Sequence, residues 1–147
     1  MKKNFKLKSM TAISLLCLLG NFIVIPTSAN AISCKNTTLR NLKLISKNPP
    51  MHKGKNIFVY GEIKWFGDFT GPGRFLAWVD AKENRNGYYV ASGAQAFLSG
   101  SNKVLNDFVE GDYFKACVTV TGLRTNIDGL VHLDLQVRNI KYIGGNN

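Results

Sequence analysis

The sequence predicts a small, mainly β domain, a barrel of five strands that follows an N-terminal leader. Residues 111–143 contain two apolar runs of period two, joined by a Gly-bearing turn. Residues 57–66 alternate in the same way. Period two is typical of paired strands with one buried face. Clusters of Gly, Pro and Asn separate the runs at short intervals, as expected for an antiparallel β domain.

The leader, residues 1–31, has the layout of a secretory signal peptide. Four lysines open it: Lys2, Lys3, Lys6 and Lys8. The mostly apolar residues 12–25 follow, then a Pro and an Ala-x-Ala pattern ending at Ala31. The apolar run is shorter than the ~20 residues that span a membrane. We therefore expect a periplasmic or secreted protein that begins at Ile32 after cleavage and has no stable membrane span.

Cleavage changes the charge balance. It removes four of the 19 basic residues and none of the nine acidic ones, so the formal net charge falls from +10 to +6. A basic protein favours anionic partners through long-range steering. No Lys/Arg run of the kind found in nucleic-acid-binding arms is present.

Two cysteines, Cys34 and Cys117, remain after cleavage. In an oxidising compartment we expect them to form a disulfide bond. Closing this loop of 83 residues would stabilise the fold by about 4.5 kcal/mol through chain entropy. The bond is expected to hold residues 32–55, the N-terminal strap, across the outside of the barrel. The strap is polar and basic and ends in Asn48-Pro49-Pro50, which cannot continue a helix or a central strand.

The barrel is predicted over residues 56–147, and its first three strands over residues 57–66, 75–81 and 88–91. In the first strand Trp65 is expected to face inward and Phe66 outward, and Gly61 allows a sharp bend. The predicted inward residues of these strands are Ile57, Val59, Gly61, Ile63, Trp65, Phe75, Ala77, Val79 and Ala81. An Asn-Gly pair at residues 86–87 closes the second hairpin.

Residues 94–108 lose the alternation, which favours a short helix around residues 103–108. The final hairpin supplies the last two strands. Its inward residues are predicted to be Phe114, Ala116, Val118, Val120, Val131, Leu133, Leu135 and Val137.

The closing hairpin resembles that of an OB-fold barrel. The resemblance is carried by the Gly111-Asp112 entry, the valine alternation, the Gly in the turn and the Asn139-Ile140 ending. It covers residues 57–143 and implies a five-stranded, partly open Greek-key barrel with a short helix between strands three and four. A β-sandwich or an SH3-like barrel is the competing fold. The helix-like gap before the fourth strand favours the OB-fold.

The sequence offers little for catalysis. His52 and His132 lie in no zinc-binding spacing, and the sequence contains neither a Gly-x-Ser-x-Gly elbow nor a phosphate-binding loop. His132 and Asp134 share an outward strand face, where a solvent-facing polar pair is expected. We therefore expect a non-catalytic protein with no metal or cofactor.

The OB-fold resemblance implies where a ligand would bind. In such barrels the ligand contacts the face of strands two and three and the loops between strands one and two and strands four and five. By position, the implied set is Phe66, Phe69, Arg74, Trp78, Tyr89, Arg124 and Asn126. A one-residue error in register would exchange inward and outward residues.

Aromatic side chains interleaved with cations suit single-stranded nucleic acid, in which each stacked base contributes about 1–3 kcal/mol. The sequence therefore predicts an exported binding protein for an extended anionic polymer, most simply an oligonucleotide. The alternative is a protein- or glycan-binding subunit of an envelope, secretion or toxin-like assembly, because exposed aromatic residues also form such interfaces.

Overall fold

The computed structural model describes residues 32–67, 70, 73–84 and 93–145. Within them, five strands form a closed barrel. The strands are β1 (Asn56–Trp65), β2 (Arg74–Asp80), β3 (Ala94–Ser99), β4 (Asp112–Thr125) and β5 (Val131–Gly145). The helices are α1 (Leu39–Lys47), a single 3-10 turn (Pro49–His52) and α2 (Asn102–Leu105).

The strands close in the order β1-β2-β3-β5-β4, with β4 pairing back onto β1. The β3–β5 pair is parallel and the other four are antiparallel. The predicted mainly β barrel, with a short helix between the third and fourth strands, is confirmed. This strand order is compatible with an OB-like barrel.

The barrel interior contains the predicted inward faces of β2 and β4, with Phe75 and Phe114 in edge-to-face contact at a centroid distance of 5.6 Å. Residues Phe75, Ala77, Val79, Phe114, Ala116, Val118 and Val120 are all buried. In β5, Leu133, Leu135 and Val137 are buried as predicted. Val131 is instead exposed at the open end of the hairpin, so its predicted inward position is wrong.

Gly61 lies at the most crowded point of β1. It pairs with Val79 of β2 on one side and Phe114 of β4 on the other. A Cβ atom there would collide with the carbonyl oxygen of Trp78 and lie 2.8 Å from Cζ of Phe114. The glycine therefore lets β1 bend with both neighbours packed closely against it.

A β-bulge at the end of β1 exchanges two predicted orientations. Ile63 pairs with Ala77, but Trp65 pairs with Leu76, so one residue of β1 is left without a partner. Trp65 consequently lies outside with 48% of its surface exposed. Phe66 packs on the core, 5.5 Å from the ring of Phe75. The predicted inward Trp65 and outward Phe66 are both wrong for this reason.

Strand β3 occupies residues that were expected to lack strand character. Ala96, Phe97 and Leu98 are consecutive and all buried. A strand buried on both faces is a continuous apolar run, so it shows no alternation in the sequence. The strand predicted over residues 88–91 lies outside the described residues.

The N-terminal strap contains the helix α1, which the sequence did not predict. Thr38 caps it by accepting a hydrogen bond from the backbone N–H of Asn41 at 3.2 Å. Leu42 and Ile45 lie three residues apart, share one face of the helix and are buried against the barrel core. The strap and the barrel belong to one compact unit.

Two further connections hold the strap. The Cys34–Cys117 disulfide bond is present, with a Cα–Cα distance of 5.7 Å, as predicted. Lys35 forms a parallel bridge to β1: its N–H donates to the carbonyl of Asn56 at 3.1 Å, and its carbonyl accepts from the N–H of Phe58 at 2.9 Å. Among the helices that the structure describes, none is long and apolar enough to cross a membrane.

Candidate functional site

Five of the seven residues predicted to bind a ligand lie within the described part of the chain, and they are spread over β2, β4 and the segments that follow β1 and β4. Phe69 and Tyr89 lie outside the described residues. Phe66 packs on the core. Arg74 begins β2, opposite Ser99 of β3, and is half-buried. Trp78 is half-buried on the outer face of β2, where the prediction placed it.

Arg124 is engaged within the β4–β5 hairpin. Its Nε and Nη2 donate to the two carboxylate oxygens of Asp134 at 2.8 and 3.2 Å. The hydroxyl of Thr121 donates to the same carboxylate at 2.6 Å. Asp134 is only 7% exposed, so these donors replace the water it loses on folding. The hydrogen bond to Asp134 raises the pKa of Arg124. This arrangement gives Arg124 a structural role.

Asn126 shapes the tip of the same hairpin. Its side-chain oxygen accepts a hydrogen bond from the N–H of Leu130 at 2.8 Å, and its own N–H donates to the carbonyl of Leu130 at 2.8 Å. The side chain is 8% exposed. Asn126 therefore closes the turn, and it does so from a buried position.

His132 and Asp134 do not form the solvent-facing pair that was expected from the sequence. Asp134 is buried in the ion pair with Arg124, and the ring of His132 contacts Phe97 edge-on at 5.3 Å. Burial lowers the pKa of His132. Within the described part of the chain, no group of three or more His, Cys, Asp or Glu residues is placed to hold a metal ion.

A cation–aromatic cluster lies on the outer face of β1 and β4. The ammonium group of Lys115 lies 4.8 Å from the ring centroid of Phe58 and 5.4 Å from that of Tyr60. Phe58 is paired with Cys117, so the cluster adjoins the disulfide bond and the strap. The cluster therefore places a positive charge over two half-buried rings on the outer face of the barrel.

The neighbouring part of this face is acidic. Glu62 pairs across the sheet with Trp78, and Asp80 lies two residues from Trp78 on the same side of β2. Both carboxylates are buried, at 5% and 8% exposure. Lys64 forms an ion pair with Glu62 at 2.5 Å. The carboxylates beside Trp78 disfavour an anionic ligand at this point.

The positive charge of the protein is concentrated in the strap. The strap contains six basic residues and no Asp or Glu: Lys35, Arg40, Lys43, Lys47, Lys53 and Lys55. All six are exposed. Residues 56–147 contain nine basic and nine acidic residues and are formally neutral. The strap therefore accounts for the whole net charge of +6 expected after cleavage.

Sequence reasoning described the strap as basic but did not propose it as a site, because it took the ligand-binding positions from the OB-fold resemblance and weighed the net charge over the whole chain. Counting charges segment by segment would have found this signal. No protein-family model matches the chain, and a search of curated proteins finds no match.

Proposed function

We propose that this protein is an exported, non-catalytic OB-like barrel that binds an extended anionic polymer, most simply single-stranded nucleic acid, through its N-terminal strap. The observation that carries the proposal is that the strap has six exposed basic residues and no Asp or Glu. The strand order supports membership of the OB-fold superfamily, whose barrels commonly bind oligonucleotides and oligosaccharides. The signal-peptide pattern and the disulfide bond support export to the periplasm or the medium.

The strap is well suited to such binding because it is held in place before a ligand arrives. The disulfide bond, the bridge to β1 and the buried residues Leu42 and Ile45 all restrain it. A restrained surface loses less conformational entropy on binding than a flexible basic tail does. The cluster of Lys115, Phe58 and Tyr60 adjoins the strap and adds a positive charge beside it.

The test is fluorescence polarisation with a labelled oligothymidylate over a range of salt concentrations. If all six strap cations neutralise phosphates, the logarithm of the binding constant falls with the logarithm of salt with a slope of about −4. A triple strap variant changes Arg40, Lys43 and Lys47 to Gln. A control variant with the same loss of charge changes Lys82, Lys103 and Lys141 to Gln, three exposed barrel residues.

The strap variant should reduce the magnitude of the slope by about 2, because three phosphate contacts are lost. The control should leave the slope nearly unchanged. Equal effects of the two triple variants would show that net charge alone drives binding, against the proposal. Absence of salt-dependent binding at low ionic strength would reject an anionic polymer as the ligand.

A second candidate function is glycan binding at Trp78. It is favoured by the half-buried indole of Trp78 on the outer face of β2, a partly exposed aromatic surface on which a ligand ring can pack. Titration calorimetry with neutral oligosaccharides tests it. Binding that is lost in Trp78→Ala and retained in the triple strap variant would support the glycan function. Absence of binding to every neutral oligosaccharide would reject it.

A further inference from the structure

A cavity of about 440 Å³ lies between the strap and the start of β1. Its polar lining includes Lys35, His52, Lys55 and Asn56, and its apolar lining includes Leu44 and Ile57. The described residues that line it include no Asp or Glu. Its volume lies within the range of about 300–1,000 Å³ that is typical of small-molecule sites.

A chain of hydrogen bonds fixes which end of the Asn56 amide is available to the cavity. The Nε–H of Arg138 donates to the hydroxyl of Thr119 at 2.8 Å, and that hydroxyl contacts Oδ1 of Asn56 at 2.6 Å. Arginine cannot accept a hydrogen bond, so Thr119 accepts from Arg138 and gives its single proton to Asn56. Oδ1 of Asn56 is therefore turned toward Thr119, and the NH₂ group is the free donor end of an amide that lines the cavity.

The contact between Lys55 and His52 indicates which ring nitrogen of His52 carries the N–H. Nζ of Lys55 lies 2.8 Å from Nδ1 of His52. An ammonium group has donors only, so Nδ1 accepts and the ring proton resides on Nε2. His52 and Lys55 thus both retain N–H groups for a ligand. With Lys35 and Asn56, the cavity combines N–H donors and positive charge with no carboxylate to oppose an anion.

We propose that this cavity binds a small organic anion, a phosphate or sulfate monoester whose apolar portion packs against Leu44 and Ile57. Its oxyanion is held by Lys35 and Lys55 together with the N–H groups of His52 and Asn56. The volume exceeds what a bare inorganic ion needs, and the apolar wall gives a ring or short chain a surface to contact. The site extends the proposed function, because the same chemistry is present in a free monoester and in the phosphorylated end of a polymer.

Titration calorimetry with ribose 5-phosphate, with inorganic phosphate and with uncharged ribose tests the site. Ribose 5-phosphate should bind saturably and more tightly than inorganic phosphate, and ribose should not bind. Lys55→Gln should weaken ribose 5-phosphate binding by about tenfold or more, as expected for the loss of a hydrogen bond to a charged group. Lys103→Gln removes the same charge outside the strap and outside the cavity lining and should change the affinity by less than about twofold.

Both substituted lysines are exposed, so the unfolding midpoint should be unchanged in each variant. His52→Ala provides a second variant and should also weaken binding. Absence of binding by ribose 5-phosphate, or equal losses in Lys55→Gln and Lys103→Gln, would overturn the proposal.

Two oligonucleotides, identical except for a 5′-phosphate or a 5′-hydroxyl, distinguish the sources of the anion. If the 5′-phosphate raises the affinity for the oligonucleotide and Lys55→Gln abolishes this increase, the cavity would be supported as a site for the phosphorylated end of a polymer. If ribose 5-phosphate competes with the oligonucleotide but the 5′-phosphate does not raise the oligonucleotide's affinity, the cavity would be supported as a site for a free monoester. Monoester binding without salt-dependent oligonucleotide binding would reject the polymer function and leave the cavity site standing. Salt-dependent oligonucleotide binding without monoester binding would reject the cavity site and leave the polymer function standing.

Discussion

Removal of the Cys34–Cys117 disulfide bond should destabilise the protein substantially. The bond closes a loop of 83 residues, and the chain-entropy relation assigns such a loop about 4.5 kcal/mol at 25 °C. Single domains are commonly stable by about 5–15 kcal/mol. Loss of the bond should therefore remove about 30% or more of the free energy of unfolding, and it should release the strap from the outer face of β4.

The perturbation is the double variant Cys34→Ala/Cys117→Ala, compared with the wild-type protein before and after reduction. Urea unfolding followed by tryptophan fluorescence measures the free energy. With an m-value of about 2 kcal/mol per molar urea, the midpoint should fall by roughly 2 M. Agreement between the reduced wild-type protein and the double variant separates the effect of the cross-link from the change in packing at Cys117, which is buried.

Limited trypsin digestion supplies an independent measure. The six basic residues of the strap should become more susceptible in the double variant than in the oxidised wild-type protein. A loss below about 1 kcal/mol, with the strap still protected, would refute the reasoning. That result would mean that Leu42 and Ile45 dock the strap by themselves and that the unfolded chain is already compact without the cross-link.

Three further predictions concern the barrel. Asp134→Asn should reduce the free energy of unfolding by about 1.5–3 kcal/mol because it breaks the buried contacts with the hairpin. Asp128→Asn, at the exposed tip of the β4–β5 hairpin, should change the free energy of unfolding by less than about 0.5 kcal/mol in the same urea measurement. Equal losses in the two variants would show that the buried Asp134 carboxylate does not stabilise the hairpin. Gly61→Ala should cost at least about 1–3 kcal/mol, since its Cβ would collide with the backbone of Trp78; a wild-type melting temperature would refute the close approach. Burial lowers the pKa of His132 below its usual 6.5, so the unfolded state binds this proton more readily and stability should fall as pH drops through 6.5. Denaturant unfolding at pH 7.5 and pH 5.5 should show a smaller fall for His132→Gln, and an identical fall would remove His132 as a contributor.

The parts of the fold that the sequence predicted correctly are those in which local alternation reports burial directly. The faces of β2 and β4 are examples, since each strand has one side in the core and one side outside. The same rule failed at Trp65 and Phe66, because a bulge adds one residue and reverses every orientation after it. It also failed at β3, which is buried on both sides and has no alternation to detect.

The candidate site was less predictable than the fold. Arg124 and Asn126 are residue types that often contact ligands, and nothing local shows that one pairs with Asp134 and the other closes a turn. Those roles depend on partners across the hairpin. The helix α1 was missed for a similar reason: it is short, follows a polar segment and is stabilised largely by docking of its apolar face on the barrel.

The amino-acid sequence alone was enough to predict a β domain, the disulfide bond between Cys34 and Cys117, and a strap that contains six basic residues and no acidic ones. These properties follow from local periodicity, from the number of cysteines and from composition. The folded structure was needed to show that the strap is held against β1 and that a cavity whose described lining has no carboxylate lies beneath it. It also decided the orientation of Asn56, which depends on Thr119 and Arg138. Residues so far apart in the chain come into contact only when the barrel closes.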